Sequence, residues 1–323
     1  MKSFKQFITE QEYLTEVANT DAADVNEIMM GYYLAGENWK KFQGANEAKR
    51  QLKAKEKKIT EKQYEQQIER ARIQAIEVMS WAQMNGYRGD IKKVWWTARP
   101  GVLSKAVGQV VDSRKNPTDV LVQFGDKKFL GVSAKSTKTR GDIGFKNPGI
   151  GTVAKELKID LKKLIDKPEA EAIKKFKLPM NKKERKVFLR SKAGEKIRIK
   201  TIAMGEKVLS DIREALFHKL GSMKQDALRD YLLSSWMDAK EAVYPPYIKV
   251  TGMGSRPPFT AKVEDPLNNN KASLMQSGVI TLERVGKDSV GVLANGKRIM
   301  KMRSKFESEK MASSIKFSGD PWK

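Results

Sequence analysis

Apolar residues recur at helical spacing in some stretches of the chain and alternate in others, and the change of period divides it. Over 21–36, DAADVNEIMMGYYLAG, apolar and small residues fall three and four apart, which predicts a helix capped by Asp21 or Asn19 and stopped at Gly36. Counting from Glu27, the positions three, four and seven on are Met30, Gly31 and Leu34, and four back is Ala23. Glu27 is therefore expected to face inward. An inward acid costs free energy unless it is paired or bound to a metal. Gly31 beside it would let the helix approach a sheet closely. Residues 46–85 form a long helical pattern, lysine-rich at first and then apolar at Ile68, Ile73, Ile76, Val78, Met79 and Trp81, ended by Gly86 and Gly89. The first sixteen residues are expected to hold a short helix and carry no apolar core of signal-peptide length.

Alternation then takes over. Residues 91–99 predict a strand in which Trp95 and Trp96 face opposite ways, so that at most one is core. A hairpin is predicted from 120–124 and 129–136, turning through Gly125 and Asp126. From 156 to 192 the pattern is helical and basic, interrupted by Pro168 and Pro179. Residues 204–242 predict two helices split near Gly221, and Tyr244-Pro245-Pro246 breaks them off. Beyond that, 279–285, 289–294 and 298–303 predict a three-strand meander, its last pair joined at Asn295-Gly296. The tail is basic with interspersed Phe and Trp. The expected organisation is an α/β core over 1–155, a basic helical region over 156–245, and a β-rich region with a basic tail over 246–323.

Charge narrows the partners. Lys and Arg number 63 against 39 Asp and Glu, a formal net charge of +24 spread along 323 residues. Such a field favours a polyanion, most simply nucleic acid, with strongly salt-dependent binding. No apolar run is long enough to span a bilayer and no lipidation signal is present, so membrane attachment is not expected. Cys is absent, which excludes disulfides, thiolate metal sites and a cysteine nucleophile. His218 is the single histidine, and its helical setting predicts a packed or solvated role. Any hydrolysis must rest on carboxylates and lysine.

The hairpin region, NPTDVLVQFGDKKFLGVSAKS over 116–136, carries those groups. The period of two puts Leu130, Val132 and Ala134 on one face and Gly131, Ser133 and Lys135 on the other. Asp119 heads the first strand and Lys135 returns on the second, with a glycine keeping the floor between them open. An acid that holds Mg²⁺ and an amine that positions water or steadies a phosphate are what metal-assisted phosphodiester hydrolysis requires. The following loop, STKTRGDIGFKNPGIGT, offers Ser136, Thr137, Lys138 and Arg140 to phosphates.

This stretch resembles the PD-(D/E)XK nuclease superfamily, the restriction-endonuclease-like fold. Pro117-Thr118-Asp119 matches the family's first element with one inserted residue, and Ser133-Ala134-Lys135 matches the second in spacing and in its lysine. Ser133 stands where the family usually has a second acid, and a hydroxyl offers a metal only a neutral ligand. Asp142 is the nearest downstream acid should that ligand have migrated. The opening residues also resemble those of tailed-phage proteins. The resemblance implies a restriction-endonuclease-like core sheet flanked by helices and Mg²⁺-dependent hydrolysis of DNA, with Mn²⁺ as a substitute. It implies Asp119 and Glu27 on the metal, Lys135 at the water or phosphate, and Ser133 as a weak participant. Double-stranded DNA is the expected partner and the cytoplasm the expected compartment, that of a host if phage-encoded, with the virion as the other setting. The competing expectation is a basic DNA-binding or virion structural protein without catalysis on the same fold.

Overall fold

The computed structural model describes residues 20–112, 115–138, 141 and 144–322. The expected short helix over the first sixteen residues, Arg140 and Asp142 lie outside them. The described chain divides into two compact units with separate apolar cores: 20–143 with 241–269, and 144–240 with 270–322. These units do not coincide with three consecutive segments at 155 and 245. A chain can leave one core, build another and return, and consecutive segmentation has no way to register the return.

The first unit is α/β, with a six-stranded mixed sheet. Helix α1 spans 20–34 and ends ahead of Gly36, whose φ of 67° suits the left-handed stop. Its inward face carries Val25, Ile28, Met29 and Met30. Strand β1 (Phe42–Gln43) and helix α2 (Ala45–Glu56) follow. Helix α3 (Glu61–Met84) opens with a capping box in which the Thr60 side chain accepts from the Gln63 backbone and the Gln63 side chain accepts from the Thr60 backbone. The continuous pattern of 46–85 is thus two helices, parted where that cap stops one and starts the next. Strand β2 (Ile91–Trp96), helix α4 (Val102–Val107), strand β3 (Val120–Phe124) and strand β4 (Phe129–Thr137) come next. Strands β5 (Tyr247–Met253) and β6 (Thr260–Glu264) complete the sheet, in the order β1-β2-β3-β4-β5-β6.

Strands β2, β3 and β4 form an antiparallel meander, while β5 lies parallel to β4 with Gly131 opposite Tyr247 and Lys135 opposite Thr251. A parallel neighbour requires a crossover, and here the crossover contains all of 144–240. Leu130, Val132 and Ala134 enter the core as the alternation predicts. Trp96 is buried and Trp95 is not, as opposite facing requires. Gly31 allows close approach of α1 to the sheet, since a Cβ there would lie 2.8 Å from the Phe42 ring and 3.4 Å from Val94. In the β3–β4 turn the left-handed residue is Lys127, and Asp126 accepts hydrogen bonds from the backbone of Lys128 and Arg88.

The second unit packs helices on a four-stranded antiparallel sheet. Helices α5 (Ile150–Leu157), α6 (Leu161–Phe176), α7 (Lys182–Arg190), α8 (Glu195–Gly221) and α9 (Gln225–Ser235) are followed by α10 (Asn270–Ser277). Helix α6 runs through Pro168 rather than stopping there. Strands β7 (Ile280–Val285), β8 (Ser289–Ala294) and β9 (Lys297–Phe306) are the expected meander, turned at Asn295 and Gly296 with φ of 49° and 73°. The tail expected to be basic and aromatic supplies a fourth strand, β10 (Ile315–Pro321), against β9, and buries Ile315 and Phe317. The α8 stripe of Val208, Leu209, Ile212 and Leu216 is core. His218 is largely exposed on α8, 3.6 Å from Glu214, as its helical setting predicts. Among the described residues no helix is long and apolar enough to cross a membrane.

Candidate active site

The turn that delivers Asp119 to β3 is fixed by buried polar groups. Asn116 donates to the carbonyl of Pro245 at 2.8 Å and accepts from the Thr118 hydroxyl at 2.6 Å, and the Thr97 hydroxyl donates to the Thr118 carbonyl. Gly131 is required beside it, because a Cβ there would come within 2.1 Å of the Thr118 hydroxyl oxygen and 2.9 Å of Tyr247. The glycine thus makes room for Thr118, not for an open floor. The Asp119 backbone amide donates to the Val132 carbonyl at 2.9 Å, so the carboxylate hangs over the far half of β4.

There Asp119 Oδ2 accepts from the Ala134 amide at 2.8 Å and from the Ser133 hydroxyl at 3.3 Å, and lies 3.8 Å from Lys135 Nζ. Burial pushes the Asp119 carboxyl up from its ordinary range, while Lys135 and the two hydrogen bonds pull it back. Ser133 is buried and spends its hydroxyl on Asp119, orienting the acid. Lys135 keeps a side chain 66% exposed, so its ammonium is hydrated and close to the acid at once.

Glu27 reaches the same place from α1. Its Oε2 accepts from the Trp96 indole N–H at 2.9 Å. Burial and then the Asp119 charge raise its carboxyl from 4.5 to about 8, with Asp24 adding to the rise and the Trp96 hydrogen bond and Lys135 opposing it. The inward acid expected from the helical spacing is therefore inward, and its partner is an indole, not a buried Lys or Arg. The two carboxylates and Lys135 sense one another's charge, and Glu27 and Asp119 are the groups that could hold a divalent cation. Among the described residues no set of three or more His, Asp or Glu gathers as a metal centre.

A cleft of about 530 Å³ opens beside these groups, walled by α1, by the N-terminal part of α3 as far as Arg70, and by the end of β4. Ser136, Thr137 and Lys138, the expected phosphate contacts, line it, and the Ser136 hydroxyl is engaged, donating to Gln67 at 2.6 Å and accepting from Arg70 at 3.0 Å. Arg70 and Gln74 were not among the residues that sequence reasoning marked. Arg70 is buried, donates to the Gly254 carbonyl at 2.9 and 2.6 Å, and has no carboxylate hydrogen-bond partner among the described residues. Gln74 donates to the Lys135 carbonyl at 2.8 Å, tying α3 to the lysine's own strand. The available signal was the polar stripe Gln63, Gln67, Arg70 and Gln74, repeating every three or four residues alongside the apolar face of α3. No protein-family model and no curated protein matches this sequence.

Proposed function

We propose that the chain is a Mg²⁺-dependent DNA endonuclease that hydrolyses phosphodiester bonds on a restriction-endonuclease-like core. One observation carries the reading: Glu27 from α1, Asp119 ahead of β3 and Lys135 on β4, far apart in sequence, converge at one end of the sheet. Burial, and then the nearby Asp119 charge, keep Glu27 protonated to about pH 8, a perturbation of the kind found at functional sites. The oxygen-only donor set suits Mg²⁺, which takes one or two carboxylates and keeps waters and substrate phosphate as its other ligands.

When bound, the cation would polarise a phosphoryl oxygen and lower the pKa of a bound water. The chain's residues do the positioning. Ser133 and the Ala134 amide fix the Asp119 carboxylate, and Trp96 fixes that of Glu27. The Lys135 ammonium orients the attacking water or steadies the phosphate, as the attacking oxygen bonds to phosphorus and the ester oxygen leaves. Double-stranded DNA fits the net charge of +24 as a source of the phosphates.

The second reading, a non-catalytic DNA-binding or virion structural protein, is favoured by one feature, the hydroxyl of Ser133 where the resemblance calls for a second acid. A plasmid-nicking assay at low salt with Mg²⁺ or Mn²⁺ separates the two. Wild type is expected to nick, with Asp119→Ala and Lys135→Ala at least a hundredfold slower. Undiminished nicking by Asp119→Ala would remove the mechanism. DNA shifted on a gel but nicked by none of the three would favour the second reading.

A further inference from the structure

The walls of the cleft beside Glu27 and Lys135 are made of little that duplex DNA would need. Helix α1 contributes Ala22 and Ala23, whose small side chains leave the space open. Helix α3 contributes the neutral amides of Gln63, Gln66 and Gln67 on one face at spacings of three and four, with the buried Arg70 one turn further on. Lys135 and Lys138 stand exposed at the strand end. The cleft thus brings exposed lysines and neutral amides together where α3 packs against the end of β4, groups that suit a nucleotide's phosphate and its base.

Two of the amides have donors to spare. The Gln67 carbonyl oxygen accepts from Ser136 and the Gln63 carbonyl oxygen accepts from Thr60, while the NH₂ group of each has no partner among the described residues. A spare amide NH₂ matches the ring-nitrogen and carbonyl acceptors that bases show when unpaired. Gln66 is spent on the Ser255 carbonyl and on Arg70, and serves as wall.

Size points the same way. At about 530 Å³ the cleft falls among pockets that enclose one small molecule, roughly 300–1,000 Å³. A single nucleotide is of that size. A duplex is not, since its major groove alone is about 12 Å wide. A base inside this cleft must have left its stack and its partner, and that exchange is least costly where the strand is already single.

We infer that the cleft is a subsite for one unpaired nucleotide next to the bond to be cut, so that the substrate is DNA with a single-stranded segment, such as a tail or flap. This rests on the nuclease reading for what happens at the bond, and narrows the DNA expected there from duplex in general to duplex that carries an unpaired strand.

The test measures binding without cleavage. Full-length Asp119→Ala protein in EDTA at 150 mM salt is titrated into three labelled DNAs of one sequence: single strand, blunt duplex, and duplex with a ten-nucleotide tail. Single strand and tailed duplex are expected to bind at least tenfold more tightly than blunt duplex. Ala23→Trp, which fills the cleft from an exposed position, should lower single-strand affinity at least fivefold. Gln63→Glu should do the same through its charge, and it retains the capping box because Glu serves in that position as well as Gln. Blunt duplex bound as tightly as the others, or a tenfold preference unchanged in both variants, would overturn the inference. Absence of nicking by wild type in Mg²⁺ would instead remove the nuclease reading and leave the strand preference, measured without metal, standing.

Discussion

Glu27 is the residue on which the most chemistry turns, and its burial has a thermodynamic consequence. Its carboxyl has a value near 4.5 in an ordinary setting and about 8 in the fold. Between those values the unfolded chain has released the proton and the folded chain still holds it. The stability associated with this group is therefore full below about pH 4.5 and is lost as pH rises through about 8. Glu27→Gln, which cannot ionise, should melt at the wild-type temperature at pH 5 and several degrees above it at pH 9 in EDTA, at about 2–4 °C per kcal/mol for a unit of this size. Equal melting temperatures at pH 9 would show that the carboxyl ionises without cost. Arg70 is the counterpart cation, buried with carbonyl, hydroxyl and amide acceptors and no acid among the described residues. Arg70→Lys supplies a charge without the planar fork, so it should cost about 1–3 kcal/mol in urea unfolding through the acceptors left unpaired.

Among elements, the β3–β4 pair with the turn before it shows how narrow the tolerances are. Gly131, Thr118 and Tyr247 share one volume, and the Asp119 position follows from the turn that Thr118 holds. Gly131→Ala is expected to destabilise by about 1–3 kcal/mol, with part recovered when Thr118→Ala is added. Additive effects of the two in denaturant melts would show that the contact is relieved elsewhere. The hairpin itself was legible, because alternation over 120–124 and 129–136 fixes which residues are inward. The turn was less so. Asp126 accepts backbone hydrogen bonds as a turn residue does, but the left-handed position belongs to Lys127, which no propensity would select. Helix α3 shows the opposite failure. Its apolar face was plain, whereas the Gln67, Arg70 and Gln74 stripe gains meaning only when the end of β4 and the turn after β5 lie against it.

For the molecule as a whole, a net charge of +24 sets the binding regime. If six to ten phosphates are contacted, affinity for DNA should fall by about 10³–10⁵ between 50 and 200 mM salt. A salt-independent affinity in an anisotropy titration would remove nucleic acid as the partner the charge selects. Legible in the residues alone were the periods, the helices and strands they name, the inward direction of Glu27, the Asn295-Gly296 turn and the lack of any thiol. Each is a property of neighbours in the chain, where 3.6- and 2-residue repeats act directly. It took the folded chain to show that β5 and β6 return to the first sheet after a second core has been built, and that β10 closes the second sheet. The fold also brings Glu27 within electrostatic reach of Asp119 and Lys135, and puts Arg70 beneath the end of β4. The β4–β5 pairing and the contacts of Glu27 and Arg70 join residues from 66 to 184 positions apart, and such contacts leave no periodic trace in the residues between them.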